Sequence, residues 1–255
     1  MKRLSILVLA VIFVPLAANA GTLNYVGSST VGKFISDAAK VYKQSDFVLD
    51  TAPESGGGEK AAAKGTCDLC GVARDVNQKY LDQGVAATLI GKDAIAAIVN
   101  KDNPVSELTS AQLKGIFTGK ITNWKEVGGP DMAISAYIVK KGSATRKVFG
   151  KAILGSDDYA GVEVITPDAK IPTMVGREKG AIGQISFAFL TGKTDVKALT
   201  IDGQKATVQN PDYPVTRPLH IATKGMPVGE AKTFLDWALS PAGQDVVKQR
   251  FVGAK

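Results

Sequence analysis

The chain alternates β-like apolar runs with amphipathic helical ones, and at three junctions glycines and small hydroxyl residues stand between strand and helix. The clearest is Gly27-Ser28-Ser29-Thr30. It follows Thr22-Leu23-Asn24-Tyr25-Val26 and precedes a helical pattern with apolar residues at Val31, Phe34, Ile35, Ala38 and Val41-Tyr42. A second run, 47–52, leads through Glu54-Ser55-Gly56-Gly57-Gly58 to a helical stretch over 59–64. A third, 133–139, leads through Lys140-Lys141-Gly142-Ser143-Ala144-Thr145-Arg146 to a helix over 147–154. Such a turn leaves the first helical N–H groups unpaired at the positive end of the helix dipole. Each is an anion site in outline, although a lone one is equally an ordinary N-cap. Three facing one point would cage a small oxyanion.

The spacing predicts strands over 22–26, 47–52, 69–73, 85–89 and 94–99, with helices over 31–43, 58–64 and 77–83. That alternation argues for an α/β chain whose mostly parallel sheet is flanked by helices. Asn100-Lys101-Asp102-Asn103-Pro104 breaks the pattern. Thr109 and Gln112 then form a capping box for a helix over 109–117, and Trp124 reads as a buried anchor. The βα style resumes through 133–154, 181–189 and 196–201, turns at Asn210-Pro211-Asp212-Tyr213-Pro214, and adds a strand over 218–223. Helices over 228–239 and 241–250 close the chain, the second with Ser240 as N-cap and Pro241 at its first position. Breaks near 100 and 215 imply two lobes, 21–99 plus 218–255 and 100–217, joined by two crossing strands.

Met1-Lys2-Arg3, the apolar run 4–17 and Ala18-Asn19-Ala20 read as a secretory leader over 1–20. The apolar run is shorter than the ~20 residues a membrane span needs. Export to the periplasm follows as an expectation. The formal charge is +7, and losing Lys2 and Arg3 leaves about +5. For an exported chain this is a generally basic surface rather than a nucleic-acid footprint. Cys67 and Cys70 are the only cysteines. Were all four residues of Cys67-Asp68-Leu69-Cys70 extended, their Cα atoms would lie ~10 Å apart, too far to bridge. A disulfide therefore requires Cys67 to lie in the preceding turn, and a redox pair at a helix N-terminus does not fit.

Catalytic motifs are lacking. Gly27 to Phe34 approaches a P-loop, but Phe34 replaces the hydroxyl that would hold Mg²⁺. His220 is the only histidine, no Gly-x-Ser-x-Gly elbow occurs, and one histidine with two cysteines makes no metal set. The expectation is no enzyme, no metal and no cofactor. Arg74, after the strand 69–73, and Arg146, after Ser143-Ala144-Thr145, are candidates for bidentate pairing with an oxyanion. Each is otherwise a surface ion pair.

Several blocks together resemble the periplasmic phosphate-binding proteins of phosphate ABC transporters. They are Gly27-Ser28-Ser29-Thr30-Val31, Ser55-Gly56-Gly57-Gly58, Leu108-Thr109, Ile116-Phe117-Thr118-Gly119-Lys120-Ile121-Thr122-Asn123-Trp124 and Ser143-Ala144-Thr145-Arg146. Ala181-Ile182-Gly183, Tyr213-Pro214, Arg217-Pro218-Leu219 and Ser240-Pro241-Ala242-Gly243-Gln244 extend the match over nearly the whole mature chain. The resemblance implies the two-lobed type II solute-binding fold, a dehydrated anion between the lobes, and delivery to a membrane permease by a monomer. It assigns donor roles to Ser29 and Thr30, to Ser55 and to Ser143, Ala144 and Thr145, with Arg74 as the main countercharge and Gly56 and Arg146 as secondary candidates.

Three positions depart from the family pattern: Ala144 replaces a glycine, Ala73 a carboxylate or serine, and Val139 an arginine, for which Lys140 or Lys141 is the nearest substitute. They bear on which anion is held. The alternatives are a binder of another anion, such as a carboxylate or phosphonate, a secreted interaction protein with a vestigial pocket, and a phosphatase.

Overall fold

The computed structural model describes residues 21–254 except Thr191, Lys193, Thr194, Val208 and Pro211. The expected leader over 1–20 and Pro211 of the expected turn lie outside the described residues. The first part of the chain runs β1 Gly21–Gly27, α1 Ser29–Ala38, β2 Ser45–Asp50, α2 Glu54–Lys64, β3 Leu69–Val72, α3 Gln78–Leu81 and β4 Val85–Asn100. The middle adds β5 Glu107–Leu108, α4 Ser110–Phe117, β6 Ser135–Val139, α5 Ala144–Phe149, β7 Val162–Ile165, α6 Ile171–Arg177, β8 Ala181–Ser186, β9 Val196–Ala198 and β10 Thr200–Ile201. The chain closes with β11 Thr216–Lys224, α7 Gly229–Ala238, α8 Pro241–Val247 and β12 Val252–Gly253.

The main sheet runs β2-β1-β3-β11-β4-β8-β6-β7. The outer groups β2-β1-β3 and β8-β6-β7 are parallel, while β11 and β4 run antiparallel to their neighbours. β4 pairs with β11 through Ala94 and with β8 from Ile95 onward. Two crossing strands thus join the parallel groups. Apolar residues of α1, α7 and α8 cover one face of the first group. There Phe234 of α7 lies 6.1 Å, ring to ring, from Phe34 of α1 and 5.1 Å from Phe47 of β2. The chain's tail therefore packs on the N-terminal elements, as the sequence implies.

Several expected boundaries shift for physical reasons. α1 opens at Ser29 because Ser28 is its cap, accepting from Val31 N–H at 3.3 Å. It ends at Ala38 rather than 43. α2 opens at Glu54, so the glycines read as a loop lie inside a helix. Gly58 is there for close approach: a Cβ on it would sit 2.4 Å from the Gly71 carbonyl oxygen and 3.2 Å from Gly27 Cα. The strands expected at 85–89 and 94–99 are one strand of 16 residues. Its interior Gly91-Lys92-Asp93 lies between those two runs: a Cβ at Gly91 would meet the Val252 carbonyl oxygen of β12 at 2.6 Å, and Asp93 is buried against Arg217. The 196–201 run divides, β9 pairing with β4 and β10 with β5. α5 starts at Ala144, capped by Ser143, and passes into a π-helical turn over Gly150–Leu154.

Other expectations hold. The Thr109/Gln112 capping box is formed, and Ser240 caps α8 with Pro241 at its first position. Trp124 is fully buried, its indole N–H donating to the Gly180 carbonyl at 2.9 Å. Cys67 lies before β3 and is disulfide-bonded to Cys70, with Cα atoms 5.9 Å apart. No helix among the described residues is long and apolar enough to cross a membrane.

Candidate anion site

The three glycine and hydroxyl junctions meet. The Ser29 N–H and hydroxyl reach Glu54 Oε2 of the second junction, both at 3.3 Å. Gly56 N–H of the second junction points at the Gly142 carbonyl of the third at 3.4 Å. The Lys140 ammonium bonds the Ala52 carbonyl across the same gap at 2.5 Å. Between the first and third junctions lies the Arg217 guanidinium, donating through Nη2 to Thr30 Oγ1 at 2.9 Å and through Nη1 to Thr145 Oγ1 at 3.1 Å. Its Nε donates to Asp93 Oδ2 at 2.9 Å. Arg217 is 3% exposed and Asp93 1%, so this ion pair is held out of water.

The direction of these bonds matters. A guanidinium only donates, so both threonine hydroxyls act as acceptors toward Arg217 and keep their own protons for another partner. Ser55 is in the same state: its Oγ accepts from Ala73 N–H at 3.0 Å, which leaves its proton to give. Ser143 differs. Its hydroxyl donates to Asp168 Oδ2 at 3.0 Å while accepting from Thr145 N–H at 3.3 Å. Thr30, Ser55, Ser143, Ala144 and Thr145 are all buried. Ala144 is the first residue of α5.

Arg74, expected as the main countercharge, is occupied elsewhere. Its two terminal nitrogens grip the Glu59 carboxylate of α2, Nη2 to Oε2 at 2.8 Å, and Nη1 also donates to the Asp75 carbonyl at 3.1 Å. Glu59 further accepts from Asn77 N–H at 2.9 Å. Burial works against Glu59's charge, but the Arg74 and Asn77 bonds hold its carboxyl below the usual carboxylate range. Arg74 therefore lines an open cleft beside the buried junctions. That cleft, of about 320 Å³, is bordered also by Gly56, Lys141, Ser143, Arg146 and Lys147. Arg146 is likewise committed, its Nε donating to Asp157 Oδ1 at 2.8 Å with its guanidinium 4.8 Å over the Tyr159 ring.

Four charged residues at or beside the meeting of the junctions escape sequence reasoning. Arg217 reads only as a residue of the Arg217-Pro218-Leu219 block and of the break near 215, because nothing local shows that β11 carries it between two distant helix starts. Asp93 lies in the gap between the two predicted runs 85–89 and 94–99, inside what is one strand. Asp168 follows Pro167 with no motif around it. Glu54 stands in plain view before Ser55, and its φ of +57° is the one unusual local feature. Burial, then the nearby Asp168 charge, push the Glu54 carboxyl up to about 7, and burial raises Asp168 as well. Val139, where the resemblance lacks an arginine, is wholly buried in the core. Arg217 brings a guanidinium to the junctions from another strand. Among the described residues no group of three His, Cys, Asp or Glu is arranged for a metal ion.

Comparison with known proteins agrees with this architecture. Residues 15–242 match the family model of a PBP superfamily domain. The phosphate-binding protein PstS of Bacillus subtilis is 34% identical over 236 residues, covering 87% of this chain and 76% of that protein. A putative phosphate ABC transporter substrate-binding protein with bound phosphate from Clostridium perfringens superposes with TM-score 0.85 at 32% identity, covering 92% of this chain and all of that one. An ABC-type phosphate transport receptor from Vibrio cholerae superposes with TM-score 0.75 at 26% identity, covering 91% of this chain and all of that one. With the family model spanning most of its length and relatives of this identity over most of the chain, the protein belongs to the PBP superfamily and has the type II periplasmic binding protein fold.

Proposed function

We infer that this protein captures inorganic phosphate, or a closely similar oxyanion, outside the cytoplasmic membrane and delivers it to an ABC permease. The observation that carries the reading is the Arg217 bridge between Thr30 and Thr145. It sets a buried positive charge and two proton-bearing hydroxyls at the meeting point of helix starts from separate parts of the chain, which is what a dehydrated tetrahedral anion requires. The relatives named for phosphate binding and transport support the choice of ligand. The ligand-holding set is Ser29, Thr30, Ser55, Ser143, Ala144 and Thr145, with Arg217 as countercharge. Gly56, Arg74 and Arg146 border the mouth.

The lobes are residues 21–99 with 218–255 and residues 100–217, and the hinge runs through β4 and β11. Support comes from the partner change of β4 between Ala94 and Ile95, a few residues before that division. Two lobes closing on such a hinge would bury a ligand between them. The protein acts as a monomer without cofactor or catalysis, after export to the periplasm. Isothermal titration with phosphate, arsenate and sulfate tests the reading. Saturable heat with phosphate and arsenate is the expected result, and no heat with any of them at millimolar concentration refutes it.

A further inference from the structure

Glu54 occupies backbone territory that glycine enters freely and a side-chain-bearing residue enters at a cost, φ +57°. Its side chain is also 4% exposed, and its Oε2 lies on the N–H and hydroxyl of Ser29, the opening residue of α1. A charged carboxylate is therefore set against the helix start at which the anion is read to dock. The surroundings do little to neutralise it. From β1 it faces the Tyr25 phenol, from α1 Ser29, from the loop after β6 Lys140, and from the 3₁₀ turn Asp168–Lys170 the carboxylate of Asp168. Asp168 is 1% exposed, and its Oδ1 has no hydrogen-bond partner among the described residues. Arg217 acts on Asp168 but is already paired with Asp93.

A multivalent anion entering this space meets two buried carboxylates against one paired arginine and one lysine at the edge. Either negative charge leaves or protons arrive. We propose that Glu54 is a built-in competitor of the ligand: its carboxylate holds the Ser29 donors, and the anion takes them by displacing Glu54, which accepts a proton from solvent as it gives them up. The inference rests on the reading of this site as a phosphate site and adds the residue that sets how tightly, and at what pH, it fills. Burial and the Asp168 charge, which favour the neutral carboxyl, act in the same direction.

The test uses Glu54→Gln, which keeps shape without charge, and Glu54→Gly, which suits the backbone at this position. Phosphate is titrated calorimetrically into the mature protein and both variants near pH 5.5 and near pH 8.5. The ratio of variant to parent Kd cancels the ionisation of phosphate itself. Both variants are expected to bind about tenfold tighter or better near pH 8.5 and within about twofold of the parent near pH 5.5. Heats in buffers of different ionisation enthalpy should show more proton uptake by the parent than by either variant. Equal affinities at both pH values overturn the proposal while leaving phosphate binding intact. So does a tenfold loss in both variants, which would mean that the carboxylate grips a proton of the ligand. Absence of phosphate heat from all three proteins overturns the reading of the site as well.

Discussion

Arg217 and Thr30 are 187 positions apart in the chain, yet the guanidinium Nη2 and the threonine Oγ1 lie 2.9 Å from each other. The same guanidinium reaches Thr145 from its other terminal nitrogen. One side chain on β11 thereby ties together the starts of α1 and α5, which sit on different parallel groups of the sheet.

Arg217→Lys should fold but bind phosphate ten- to hundred-fold more weakly. Lysine keeps the charge and loses the fork that spans two hydroxyls, and a lost charge-assisted bond in a buried site costs about 1.5–3 kcal/mol. Arg217→Ala should also lower stability by roughly 3–5 kcal/mol, because Asp93 is left buried without a counterion. Calorimetric titration and thermal unfolding measure the two effects separately. A lysine variant with parental affinity would show that the fork is dispensable.

Arg74→Ala should act chiefly on stability. Glu59, 1% exposed, would lose both of its guanidinium bonds, at a cost of about 3 kcal/mol. Stability should also respond to pH. The folded-state carboxyl of Glu59 is held below its ordinary range, so its contribution is present above that range and fades as pH falls through it. The variant should lose that acid-side fall. Denaturant unfolding from neutral to acidic pH checks this, and a phosphate affinity that drops as far as in Arg217→Lys would return Arg74 to the role of main countercharge.

Glu54 gives the opposite pH signature. Its folded-state pKa of about 7 lies above the ordinary 4.5, so folding suffers no penalty below about 4.5 and loses stability as pH rises through 7. Glu54→Gln should be more stable than the parent near pH 8, by about 1–3 kcal/mol, and nearly equal to it near pH 4.5. Thermal unfolding of the two proteins at both pH values decides it. A parallel pH dependence would mean that another group titrates.

Ser143 is both the cap of α5 and the hydrogen-bond partner of Asp168. Ser143→Ala should cost about 1 kcal/mol through the cap. A bulky residue in its place should abolish phosphate binding, because the side chain lies at the meeting of the junctions rather than in an apolar core. Circular dichroism together with titration separates lost binding from lost folding.

Local chemistry made much of the fold legible. Ser240 announces a helix start because a hydroxyl satisfies an orphan N–H group within three residues of itself, and Thr109 with Gln112 does the same reciprocally, whereas Ser28 and Ser143 cap helices that open two and three residues before the periodic pattern does. The glycines of α2 misled because the reason is not local: Gly58 is small so that α2 can lie close against β1 and β3. Arg74 has a partner that its neighbours in sequence do not show. The end of a parallel strand is a good place for a ligand-binding arginine, but Glu59 of α2, 15 positions earlier, engages both of its terminal nitrogens.

From residue order alone came the alternation of strand and helix, the three hydroxyl-bearing junctions and the family likeness, since periodicity and capping act over a few neighbouring positions. Tertiary structure alone decided which guanidinium lies at the junctions, that the Glu54 and Asp168 charges come near enough to act on each other, and that Asp93 pairs with Arg217. Those relations join residues from 72 to 187 positions apart. Burial strengthens each charge and penalises each unpaired one, and burial is a property of the assembled chain.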